Sequence, residues 1–367
     1  MAPVGLRQVQ YGKSERNHKG MNLVKILAGA ALAAGFASGC GPSKPVLHVY
    51  TWSDYIDNEV IAKFAVENGC EVVVDTFDSN EAMYAKLQAG STGYDVMMPT
   101  SYQIPLMAKN GMIRELDHSL LPNVKKNFCK RYESSILDPT FKYNVPYMVT
   151  YTGLAYRKDK VGDAPVDSWH IYETATLKGR MSLLSDMRET LGAALRCLGH
   201  SLNSEDPKEI DEAVELVLKW KANIAKFDNE QYKTAVDGGE WFVGHGYSSD
   251  ITQVMTENEN VGFSLPKEGF TIAFDEMVIA ADAPNPELAH KFINFLYDPE
   301  NAKPNMESVL AAMPVEPALA ALDESLKPLL VIDAEILKRG EVLKDFDDKP
   351  AVRDLYIKAW DRVKAGK

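Results

Sequence analysis

The chain has 367 residues, with 40 Lys and Arg against 52 Asp and Glu for a formal net charge of −12. That length accommodates two domains of ordinary size, and so acidic a chain lacks the basic footprint that phosphate backbones require, which excludes nucleic acid as the expected partner. Four cysteines, Cys40, Cys70, Cys129 and Cys197, are widely spaced with no CxxC, which excludes a disulfide framework and a zinc knuckle.

Residues 1–39 read as a leader. Met1 to Gly20 are polar and patternless, Met21 offers an alternative start, and Lys25 precedes an apolar run from Ile26 to Phe36 that ends at Ala37-Ser38-Gly39-Cys40. A positive region, a short apolar stretch and small residues before a cut describe an export signal rather than a membrane span. Cys40 at the cut resembles the lipid-attachment cysteine of bacterial lipoproteins, although Ala37 stands where that pattern prefers Leu. The alternative, a buried Ala-rich helix, is ended early by Gly39, Gly41, Pro42 and Pro45. Residues 40–46 would then be a tether. Export removes five basic residues and one acid with the segment through Cys40, leaving 35 basic against 51 acidic residues and a net charge of −16.

Leu47-His48-Val49-Tyr50-Thr51 predicts a strand that stops at Trp52-Ser53-Asp54-Tyr55, with an amphipathic helix over 56–68 before the Asn68-Gly69 turn. A strand over 71–75 and a helix over 80–89, opened by Ser79-Asn80 and stopped by Gly90, follow. A third strand over 94–98 ends at Pro99-Thr100-Ser101-Tyr102 and leads to a short helix over 102–110. Short apolar strands alternating with helices imply a parallel sheet covered on both faces. In such sheets ligands bind beyond the carboxyl ends of the strands. An indole, a hydroxyl, a carboxylate and a phenol gathered at one strand end suit an organic cation.

The texture turns β-branched and aromatic over 143–151. A second unit over 153–273 holds a strand at 181–184, helices over 186–198 and 207–226, a loop at Gly244–Asp250 entering a helix, and a strand at 261–264. A β segment over 270–280 and a helix over 287–297 follow, the latter closed at Asp298-Pro299, with Leu288, Phe292, Phe295 and Leu296 on one core-facing side. The tail over 331–367 is charged and weakly helical. Two α/β halves joined near 145–152 and 270–276 predict a hinged pair around a cleft. The first domain would comprise 47–151 with about 275–322, and the second 152–274 with about 323–367.

Two acidic groups are ambiguous. Asp186 and Glu189 share the first turn of a helix, where Asp-x-x-Glu forms a good capping box, yet one oxygen of each carboxylate can serve a ligand as well. Asp275-Glu276 interrupts an apolar strand, either as an exposed strand end or as part of a site. Trp52 and Tyr55 read equally as core aromatics, and Tyr102 as a helix entry. Catalytic and cofactor signatures such as GxSxG, a Walker loop, GxGxxG or HExxH do not occur, so neither an enzyme nor a cofactor nor a metal site is expected.

Several runs carry a resemblance: Tyr50–Tyr55, Ser79–Leu87, Tyr94-Asp95-Val96, Pro99–Tyr102, Asn144–Tyr147, Asp186–Glu189, Asp206–Ile210, Pro266–Gly269 and Phe292–Leu296. With these the chain resembles the spermidine/putrescine-binding lipoproteins and periplasmic proteins that feed ABC importers, over nearly all of 47–300. The resemblance implies a two-domain, hinged α/β periplasmic-binding-protein fold of type II with the ligand in the interdomain cleft. It implies that Trp52, Asp54 and Tyr55, with Ser53 between them, line the cleft from the first domain together with Thr100 and Tyr102. From the second domain it implies Asp186 and Glu189, and Tyr247 where the family often has Trp. Asp275 would grip an ammonium group. Three positions depart from the pattern: Ala273 (beside Phe274), Met313 and Leu343. The implied partners are a polyamine, ABC permease subunits and the membrane, through a lipid on Cys40 at the outer face of a bacterial cytoplasmic membrane. Open alternatives are the same fold with another ligand (another cation, ferric ion or a sugar), a hydrolase using Asp54 and Asp186, or a surface interaction protein.

Overall fold

The computed structural model describes residues 44–344, 346 and 349–366. The expected leader and Cys40 lie outside the described residues. β1 (Val46–Trp52) buries Leu47 and Val49 and runs into α1 (Asn58–Asn68). The Asp57 carboxylate accepts hydrogen bonds from the amides of Glu59 and Val60 to open that helix, and Gly69 at φ 59° closes it in the left-handed conformation a Cβ disfavours. β2 (Glu71–Phe77), α2 (Asn80–Gln88, capped by Ser79) and β3 (Val96–Met97) complete a parallel group with β1 in the middle. α3 (Ile104–Lys109) and α4 (Pro122–Asn127) lead to β4, a single strand from Asn144 to Arg157.

β5 (Met181–Leu183), α5 (Met187–Cys197), α6 (Pro207–Lys221), β6 (Lys226–Phe227) and α7 (Tyr232–Asp237) build the second unit. β7 (Val243–Tyr247), α8 (Ser248–Glu257) and β8 (Val261–Ser264) lead into the long β9 (Phe270–Ile279). Then come α9 (Pro286–Leu296), α10 (Pro299–Val309), α11 (Glu316–Ala321), α12 (Lys327–Leu330), α13 (Ala334–Leu337), β10 (Gly340–Val342) and α14 (Pro350–Ala365). No described helix is long and apolar enough to cross a membrane.

The sheet order is β2-β1-β3-β9-β4-β7-β5-β6, with β10 beside β9 and β8 beside β4. The sheet is therefore mixed rather than parallel. β9 runs against both β3 and β4, and β7 runs against β4, while the outer pairs stay parallel. Alternation of short strands and helices reports only local βαβ units. It is blind to two long strands, more than a hundred residues apart, that traverse the molecule in opposite directions.

Apolar side chains gather in two large clusters. The first takes Leu47 to Tyr151 and Phe270 to Leu337, the second Leu154 to Val243 and Phe346 to Val363. β4 contributes to both, and β9 to the first. Leu330 and Leu337 belong to the first cluster, Val342 packs against it, and β10 pairs with Phe270–Ile272 of β9. Asp298 does not close α9 but opens α10, its carboxylate accepting from the Glu300 amide at 3.0 Å. The expected loop at Gly244–Asp250 is in fact a strand followed directly by a helix. Its glycines serve close approach: a Cβ on Gly246 would fall 2.1 Å from Cε2 of the buried Tyr232 ring.

Candidate functional site

Side chains alternate across a strand, and on β9 this brings Thr271, Ala273 and Asp275 to one side. Asp275 is half-buried and neither solvent-exposed nor orphaned. Tyr55 donates its hydroxyl to Asp275 Oδ2 at 2.5 Å, and Thr100 donates to Oδ1 at 2.7 Å. Burial holds the Asp275 carboxyl above its ordinary range, and these two hydroxyls offset it. Each oxygen keeps a further lone pair for a cation.

Behind this pair stands Asn80, buried at the start of α2. Its Nδ2 donates to Thr100 Oγ1 at 3.0 Å and to Tyr102 Oη at 2.8 Å, while its Oδ1 accepts from the Thr100 amide at 3.0 Å. One amide thus fixes both Thr100 and Tyr102. Sequence reading saw Asn80 only as a helix opener; its burial is the signal that was missing.

Trp52 is half-buried, its indole N–H donates to the Met98 carbonyl at 3.0 Å, and its ring packs edge-on against Phe77 with centroids 4.5 Å apart. With the polar tip committed, the ring face is what Trp52 can offer a ligand. Ser53 and Asp54 are exposed in the turn after β1, with Asp54 at φ 53°, a left-handed conformation uncommon outside glycine. The Asp54 carboxylate has no hydrogen bond among the described residues, so the fold does not tie it to the other acids.

In the second unit, Asp186 caps α5. Its Oδ1 alone accepts from the amides of Arg188 and Glu189, at 2.8 and 2.9 Å, leaving Oδ2 outside the cap. Glu189 does not complete a capping box. It is only 4% exposed, faces the hydroxyls of Thr152 on β4 and Thr271 on β9, and its Oε2 has no hydrogen-bond partner. Burial, followed by the charge of Asp186, pushes the Glu189 carboxyl up to about 8. A carboxyl so placed is short of a cation.

Two phenols join the units electrostatically. Tyr102 is made less acidic by burial and Glu81, and also by Asp186 and Asp275. Tyr247, at the end of β7, is affected by burial and then by Glu189 and Asp186. The Tyr232 hydroxyl accepts from the Tyr247 amide at 3.1 Å and donates to Asp250 Oδ2 at 2.5 Å. Asp250, in the first turn of α8, makes no side-chain cap bond and adds a further carboxylate in the field of Tyr247. At the departing positions, Phe274 is fully buried against Tyr132 and cannot replace a cleft aromatic, whereas Ala273 lies on the cleft-facing side. Met313 is buried beside Asn305, and Leu343 is half-buried. No group of three metal-ligating side chains occurs among the described residues.

The fold and this acid-and-aromatic cleft define a class, the two-lobed solute receptors. A model of the bacterial extracellular solute-binding protein family matches residues 59–329, and the chain belongs to that family. It is 36% identical over 354 residues to a putrescine/cadaverine-binding protein of Pseudomonas aeruginosa, covering 93% of this chain and 99% of that one. Against the spermidine/putrescine-binding periplasmic protein of Escherichia coli it is 33% identical over 349 residues, covering 93% and 98%. The crystal structure of a spermidine/putrescine ABC transporter substrate-binding protein, PotD, from Streptococcus pneumoniae superimposes with a TM-score of 0.82 at 33% identity, covering 88% of this chain and 99% of that one.

Proposed function

We propose that this protein is the extracytoplasmic receptor of a polyamine ABC import system. It closes over putrescine or a related diamine and delivers it to a permease. The observation that carries the reading is two inward carboxyls, Glu189 from α5 with an unpartnered oxygen and Asp275 from β9 held by two hydroxyls, with Tyr55 bonded to Asp275, Tyr102 in the field of Asp186 and Asp275, and Tyr247 in that of Glu189 and Asp186. A diamine has ammonium groups separated by methylenes, so its site needs spaced acids with aromatic walls between. Each cation–π contact contributes about 0.5–2 kcal/mol. A charge left unpaired in the closed cleft costs roughly 3–5 kcal/mol, so the acids select the guest and the rings hold it.

Asp186 Oδ2 and Asp250 extend the acidic wall, and Ser53 and Asp54 reach the ligand only on closure. The names of the relatives support the ligand class, and the family description supports a location outside the cytoplasm. A lipid on Cys40, holding the protein to the outer face of the membrane, rests on the leader sequence. The chain acts by binding and is not an enzyme.

The test is a thermal-shift panel of putrescine, cadaverine, spermidine, agmatine, betaine and ferric ion. The diamines and spermidine raise Tm in this account. A shift with betaine or ferric ion alone overturns it.

A further inference from the structure

Glu276 follows Asp275 on β9 and so points to the opposite side of the strand, into the first cluster. It is fully buried, as is Asn144 on β4 to within 3% exposure. Pro146 stands directly across from Glu276, and Asn144 pairs with Val278, which makes Asn144 and Glu276 diagonal neighbours on one face. Asn144 Nδ2 donates to Glu276 Oε2 at 2.9 Å. The two remaining polar atoms of this couple, Asn144 Oδ1 and Glu276 Oε1, are both buried and both lack a partner. Two acceptors cannot satisfy each other, but a proton on Glu276 Oε1 would let it donate to Asn144 Oδ1 and close a cyclic acid–amide pair.

Among the described residues no cation takes that place. The charges that act on Glu276 are Asp275 and Asp138, both acidic, and Tyr297 also lies within its field. Burial, countered by Asn144, holds the carboxyl up to about 8. The surroundings are rigid: the Glu276 amide donates to the Pro99 carbonyl at 2.8 Å, and the Tyr297 hydroxyl donates to the Pro146 carbonyl at 2.5 Å. The register shift of β4 between Pro146 and Met148 falls beside it.

We propose that Glu276 is a positioning residue for Asp275: carried as the neutral acid, it donates Oε1–H to Asn144 Oδ1, closes a two-bond ring with that amide, and locks β9 to β4 directly behind the cleft. Two consequences follow. Asp275 is the sole charge at this point of β9, so the ammonium group meets one carboxylate rather than two competing ones. The lock also sets where Asp275 stands relative to Tyr55 and Thr100. The functional half of this inference rests on the polyamine reading; the protonation state does not.

The experiment compares wild type with Glu276→Gln and Glu276→Ala. Infrared difference spectra, wild type minus Glu276→Gln at pH 7, are expected to show a protonated carboxyl band that fades above pH 8. A carboxylate band at pH 7 instead overturns the proposal. In calorimetric titrations with putrescine, Glu276→Gln, which keeps a neutral amide pair, retains affinity within about threefold, and Glu276→Ala loses tenfold or more. Equal losses in the two variants overturn the positioning role. Should putrescine bind none of the proteins, wild type included, the polyamine reading fails and takes the positioning role with it, while the infrared spectra still decide the acid–amide pair.

Discussion

Asp275 is held by one hydroxyl on each oxygen and contributes no apolar surface to either cluster. Its charge can therefore be removed with little disturbance to packing. Asp275→Asn is expected to weaken putrescine binding by about 100-fold or more, in line with roughly 3–5 kcal/mol for breaking a buried ion pair, while Tm moves by a few degrees at most; calorimetry and thermal melts read both. His245 behaves oppositely. Fully buried, with both ring nitrogens unpartnered and its ring edge-on to Trp169 at 4.9 Å, it is held by burial down to about 3. Its folded value lies below the unfolded one of about 6.5, so the stability it supports is present above pH 6.5 and lost as pH falls toward 3. His245→Phe is expected to abolish that acid-side loss, worth about 2 kcal/mol at pH 5 at about 1.4 kcal/mol per pH unit, as read by denaturation at pH 5 and 7.5.

At the scale of elements, α1, α2, α5 and α9 were legible to within two or three residues, because their caps and apolar stripes are local properties. β7 was not. Val243-Gly244-His245-Gly246-Tyr247 has the residues of a turn, and what makes it a strand is pairing with β4 and β5, both distant in sequence, with the Tyr232 ring closely over Gly246. Gly246→Ala is expected to cost about 1–3 kcal/mol and to weaken putrescine binding, since the displaced Tyr232 hydroxyl carries both the Tyr247 amide and Asp250. A melt and a titration on the one variant check both parts. The candidate side chains could be named from the sequence, but their hydrogen-bonded arrangement could not. Asp186 and Glu189 read as one capping box, whereas only Asp186 caps and Glu189 turns inward, because the box pattern cannot register Thr152 and Thr271 arriving from two other strands. Asn80 looked only like a helix start for the same reason.

For the whole molecule, Glu189 and Glu276 both have folded values raised to about 8. The stability they support is complete below the ordinary glutamate value near 4.5 and is lost as pH rises through 8. The ligand-free protein should therefore lose Tm between pH 6 and 8, less so in Glu189→Gln, and putrescine should restore it by supplying the cation that Glu189 lacks. β4 carries residues of both clusters and β9 residues of the first, and together the two paired strands bear Thr152, Thr271 and Asp275. Closure then follows from contacts that only a guest reaching both halves can make. Calorimetric titration of the protein with putrescine and with butylamine, which has the same four-carbon chain but one ammonium group, tests this most directly. The account predicts that putrescine binds about 100-fold tighter or more, the second ammonium being worth several kcal/mol; equal affinities for the two amines would contradict it.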